Sequence, residues 1–164
     1  MNLLKGILLA LLVVLLGAQF IRPEKNLGND NQANDIARTF YTSAEIQSIL
    51  KVSCYDCHSN TTHYPWYAEI QPIGWWLKGH IEDGKKELNF SEFGAYRPRR
   101  QFRKFEEIVE MVKGEEMPLP SYLLAHRDAR LSQEQKDRLI KWATEMRDTM
   151  SAMYPPDSLA GRKR

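Results

Sequence analysis

The 164 residues carry 43% hydrophobic and 27% charged side chains at a net charge of +2, which is enough apolar content for one globular domain with an appendage. With Lys5 and Arg22 set aside, basic and acidic groups balance, so the basic stripe that a nucleic-acid surface needs is missing.

Residues 3–21 (LLKGILLALLVVLLGAQFI) are apolar apart from Lys5 and Gln19, a length near the minimum for crossing a bilayer as a helix. Lys5 and the terminal amine favour an inside N-terminus. The expectation is an uncleaved signal-anchor over 1–22, holding the domain at the inner membrane on its periplasmic side. The alternative is a signal peptide cut after Ala18, against which Leu16 stands at the outer position of an A-x-A site. No cysteine lies near Ala18, which excludes a lipoprotein anchor. Residues 23–40 are polar and rich in Asn and Asp, and read as a solvated tether.

Residues 41–154 read as the folded domain. Thr42 with Glu45 resembles a capping box, and Ile46, Ile49 and Leu50 follow at helical spacing. This helix leads into Cys54-Tyr55-Asp56-Cys57-His58, which holds both cysteines of the chain. C-x-x-C-H reads as a c-type haem attachment. On one helical turn, positions i, i+3 and i+4 share a face, so two thiols and an imidazole would meet one porphyrin edge, with His58 as proximal ligand. Three other readings compete. A thioredoxin-like pair needs a βαβ context that the helical flanks do not offer. A zinc site from Cys54, Cys57, His58 and His63 suffers because adjacent Cys57 and His58 diverge poorly onto one tetrahedral ion. A disulfide across three residues closes too small a loop to stabilise much.

After His58, Pro65 and Pro72 break any long helix, and a backbone carbonyl near one of them is expected to receive the second ring N–H of His58. Trp66, Tyr67, Trp75 and Trp76 offer walls for a flat macrocycle, or ordinary core aromatics. Pro72 starts a helix on which Trp76, His80 and Gly84 share a face, making His80 an alternative iron ligand. His63 and His126 read as surface residues. The basic run Arg97 to Lys104 precedes Phe105, Ile108, Val109 and Val112 at helical spacing, and is read as a solvated face or as a partner for haem propionates or an acidic surface. Gly114 ends that helix. Met117 follows on a loop stiffened by Pro118 and Pro120, the expected place for a thioether sixth ligand, whereas Met111 and Met146 read as helix gap-fillers. Ser132 and Gln135 cap a last helix with Leu139, Ile140, Trp142, Ala143 and Met146 as its buried stripe, expected to pack on the helix before the motif. Residues 155–164 read as a flexible tail.

CYDCHSN, YPWYAEIQPIGWWLKGHIEDGKKELNFSEF and MPLPSYLLAHRDARLSQEQKDRLIKWA, in that order, resemble the haem-binding domain family of small, membrane-anchored, monohaem c-type cytochromes. The resemblance implies one covalent haem c at Cys54 and Cys57, ligation by His58, and electron transfer. It leaves the sixth ligand open between Met117 and His80, while the broader likeness to small His/Met cytochromes c favours Met117. The expected architecture is an all-α, cytochrome c-like domain behind a single N-terminal transmembrane helix. The expected function is one-electron transfer with redox proteins of the envelope, without enzymatic activity, a small-molecule substrate or nucleic acid. The alternative is a haem-based sensor or peroxidase-like enzyme with an open distal site.

Overall fold

The computed structural model describes residues 2–28 and 32–160. Its first helix, α1, spans Leu3–Ala18, with no buried residue. Sixteen residues at 1.5 Å each rise about 24 Å, short of the ~30 Å hydrocarbon core. Among the described residues no helix is long and apolar enough to cross a membrane. The expected signal-anchor is therefore corrected, and the inner-membrane anchor and periplasm-facing placement lose their basis with it. The apolar count had run on through Phe20 and Ile21, but the helix stops at Ala18 and Gln19 turns back to the domain. Its side chain donates to the Gln71 carbonyl (3.1 Å) and accepts from the Gln71 N–H (3.0 Å).

The polar stretch that follows is docked where the structure describes it. Arg22 and Lys25 both pair with Glu69, and the Trp75 indole donates to the Ile21 carbonyl (2.8 Å). Leu27 forms an isolated antiparallel bridge with Thr61. The expectation of a solvated tether thus gives way to a strap across residues 59–64. Its Asn and Lys side chains find fixed partners, a fate that composition cannot reveal.

Helix α2 (Ile36–Thr39) starts at Asp35, whose carboxylate accepts from the Ala37 N–H, and buries Ile36 completely. Helix α3 (Ala44–Ser53) is capped by Ser43 in place of Thr42, with its hydroxyl 3.3 Å from the Ile46 N–H; the Thr42 hydroxyl donates instead to Phe40 O. The single turn α4 (Tyr55–His58) and helix α5 (Ile73–Glu87) follow. Next come α6 (Pro98–Lys113), with proline at its start and Gly114 at its end, and the short α7 (Pro120–Ala125). Helix α8 (Gln133–Met153) has the expected Ser132/Gln135 capping box. Helix α9 (Pro156–Leu159) packs on α6 and buries Leu159, so only residues 161–164 of the expected tail lie outside the described residues.

The regular elements among the described residues are all helices, without a strand, as the all-α expectation has it. Helices α6 and α8 form the main packing pair, with α3 on α8. Their apolar faces bury Ile46, Ile49, Leu50, Phe105, Ile108, Val112, Leu139 and Trp142. A second, smaller cluster of Ala68, Leu77 and Ile81 lies under α5. The motif turn α4 stands between the two.

Candidate functional site

The motif turn closes on one carbonyl: the N–H groups of Cys57 and His58 both donate to Cys54 O (3.2 and 3.0 Å). Cys54 packs against the large core and Cys57 against the small one. Both thiols are free and half-buried. Burial pushes the Cys54 thiol up to about 12, with Cys57 adding to the effect, and the Cys57 thiol up to about 11, with Asp56 adding. Reactive C-x-x-C pairs are tuned the opposite way, toward thiolate. These cysteines rest as neutral thiols, which argues against a thioredoxin-like pair.

His58 Nδ1 lies 2.9 Å from both Gly84 O and Leu88 O. Carbonyls only accept, so Nδ1 carries the proton and Nε2 keeps a free lone pair. Burial lowers the His58 pKa and so favours the neutral, ligating form of the ring. The carbonyls expected near Pro65 or Pro72 are thus replaced by two at the C-terminal end of α5. Gly84 makes this approach possible: a Cβ there would stand 2.7 Å from the Cys57 carbonyl oxygen. A glycine inside an otherwise helical run is the signal from which close packing could have been read. Phe90, fully buried, presents its ring to His58 in a T-shaped contact at 6.2 Å.

Two adjoining cavities, of about 210 and 280 Å³, share Ser53, Cys54, His58, Glu87, Met117 and Pro118 as walls. Cys57 and His80 line the first, and Met111 the second. The structure therefore gathers all five candidate residues, Cys54, Cys57, His58, Met117 and His80, around one space. Met117 is held from its N-terminal side, where its N–H and that of Glu116 both donate to Met111 O (3.2 and 3.0 Å). His80 turns Nδ1 to the Trp76 carbonyl (3.0 Å) and meets the Trp76 ring in a tilted contact, with centroids 4.1 Å apart at 46°.

The tryptophans do not wall this space: Trp66 is 77% exposed, and Trp75 and Trp76 lie partly in solvent. Phe90, Leu50, Ile108 and Leu139 supply the apolar wall of the second cavity. Of the basic side chains in the run 97–104, Lys104 alone is buried, 4% exposed in the wall of the second cavity, paired with Glu107 and near Glu87. His63 is at the surface as expected. His126 is not: it is half-buried, hydrogen-bonded to the Tyr67 hydroxyl at 2.7 Å and stacked on Tyr122. Among the described residues no group of three or more His, Cys, Asp or Glu could hold a metal ion, which leaves the zinc reading without a ligand set.

Residues 13–145 match the haem-binding domain family, a span that includes every residue of this site. No curated protein and no solved structure matches the chain.

Proposed function

The chain belongs to the haem-binding domain family, and from that premise we propose that it is a monohaem c-type electron carrier. In this reading Cys54 and Cys57 would hold the haem by thioethers, and His58 Nε2 and Met117 would bind its iron. When bound, haem supplies an iron that cycles between two oxidation states one electron apart. The residues around it do the rest. Gly84 and Leu88 fix the ring of His58 and raise its basicity through the shared Nδ1 proton. Phe90 and the aliphatic wall would exclude water, and Lys104, now paired with Glu107 and near Glu87, would offer a buried cation to a propionate.

One observation carries this reading. The proton of His58 is committed to two carbonyls, which leaves Nε2 as a ligand in a cavity lined by both thiols and a methionine. The test is the mass of the full chain matured in a host that attaches haem. An increase of one haem supports the proposal, and a mass equal to that of the bare polypeptide overturns it.

His/His ligation by His80 is the second reading, favoured by the place of His80 in the same cavity wall. Iron bonded to methionine sulfur gives a weak far-red absorption band in the oxidised protein. Its loss in Met117→Ala, with retention in His80→Ala and Met111→Ala, is the expected result; its survival in Met117→Ala assigns the sixth position elsewhere.

A further inference from the structure

Met117 precedes α7, and α7 is tied directly to the motif turn. The Tyr122 hydroxyl donates to Asp56 Oδ2 at 2.8 Å, across 66 positions of sequence, and Asp56 stands between the two cysteines. The carboxylate is itself held, because Oδ1 accepts from the His63 N–H at 3.0 Å. On its other side the Tyr122 ring lies flat against His126, with centroids 4.2 Å apart and an interplanar angle of 11°. His126 is in turn fixed by the Tyr67 hydroxyl.

We propose that Tyr122 is a positioning residue for the sixth ligand, clamping the loop of Met117 onto the cysteine-bearing turn so that the thioether rather than His80 occupies the iron. The inference rests on the haem reading above. Both candidates line one cavity, so proximity alone does not choose between them. They differ in mounting. His80 rides on α5, a helix of fifteen residues. Met117 rides on a loop fastened upstream by two backbone bonds to Met111 O and downstream through Tyr122. With the downstream tie cut, the loop swings about its upstream bonds, and the sixth position becomes open to His80 or to an external ligand. Burial and the bond to Asp56 push the Tyr122 pKa well above the ordinary tyrosine value, so its hydroxyl stays a donor.

The experiment uses the full chain with haem attached, in the wild type and in Tyr122→Phe, Asp56→Ala, the double variant and His126→Ala. Two properties are read: the far-red band of the oxidised form, and carbon monoxide affinity of the reduced form. A hydrogen bond to a carboxylate supports about a tenfold change in ligand occupancy. Tyr122→Phe is therefore expected to weaken the band and bind carbon monoxide about tenfold more tightly. Asp56→Ala, which also frees the His63 N–H, should shift both readouts at least as far, and adding Tyr122→Phe to it should change nothing more, since the bond between the two is already gone. His126→Ala shifts both readouts the same way by a smaller factor and serves if the others fail to mature. Tyr41→Phe, at an exposed ring, is the unchanged control. A wild type with the band, and with no change in Tyr122→Phe or His126→Ala, overturns the clamp while leaving the haem reading intact. A wild type with attached haem but no band removes Met117 and the clamp together. No attached haem at all overturns the parent reading.

Discussion

The two sides of the motif turn are built differently. On one side α6 and α8 close over a run of aromatic contacts: Phe40 and Phe93 stand 4.9 and 5.0 Å from Phe105, which meets Trp142 at 5.6 Å. On the other, the described residues bury Ala68, Leu77 and Ile81, with Cys57 and Tyr64 packed against them, and polar ties supply much of the cohesion. Asn89 donates to Asn60 Oδ1 (2.7 Å), Asn60 donates to Glu92 (2.7 Å), and Asn26 reaches Ser59 and Thr62. Each cysteine belongs to a different side. A haem attached to both would join them and complete the apolar interior that the smaller side lacks.

The sharpest way to break this contrast is to hollow the larger side. Phe105 is 0% exposed, and Phe105→Ala is expected to cost about 3–5 kcal/mol in urea or guanidinium unfolding. A loss under about 1 kcal/mol would mean that stability resides elsewhere. The complementary experiment removes the group that we propose joins the sides. In a chain without haem, made as Cys54→Ser with Cys57→Ser, amide hydrogen exchange should accelerate in α4, α5 and the 59–64 segment while α6 and α8 stay protected. Uniform acceleration would show that the two sides unfold as one unit.

The same division explains which features could be read from the sequence. The motif turn, the methionine loop and the Ser132/Gln135 cap are encoded within a few neighbouring residues, and the structure has a turn, a loop and a cap there. The Gly84 and Leu88 carbonyls that receive the His58 proton lie 26 and 30 positions away and carry no side-chain signature. The bond between Tyr122 and Asp56 is equally non-local, since a tyrosine reads alike whether its hydroxyl meets water or a carboxylate. The tryptophans misled for a related reason. Aromatic density near a haem motif suggests a wall, but the indoles face outward and Trp75 instead holds the strap at Ile21. In α1 the apolar run persisted past the end of the helix, so hydropathy overstated the span.

Gly84→Ala tests the contact between α5 and the motif turn. The new methyl would stand 2.7 Å from the Cys57 carbonyl oxygen, and a backbone oxygen cannot rotate aside, so α5 must move off the turn. Overpacking of this kind costs about 1–3 kcal/mol. It should also lengthen the bonds from His58 Nδ1, seen as less attached haem per chain. Normal haem content with unchanged stability would show that the turn yields more readily than its contacts suggest.

The smallest effect belongs to the strap. Asn26 donates Nδ2 to Ser59 O (3.0 Å) and Thr62 Oγ1 (2.9 Å), and its Oδ1 accepts from Lys85 Nζ at 2.6 Å. Its backbone N–H meanwhile donates to the Tyr64 hydroxyl at 2.7 Å. Asn26→Ala removes the side-chain bonds and keeps the backbone one. The net cost should be about 1–2 kcal/mol, since each bond is worth about 0.5–1.5 kcal/mol and water can replace part of them at this half-buried place. Because the strap crosses the smaller side alone, the loss should appear as faster exchange at residues 59–64, with α6 and α8 unaffected. A loss spread evenly over both sides would mean that the strap braces the whole domain.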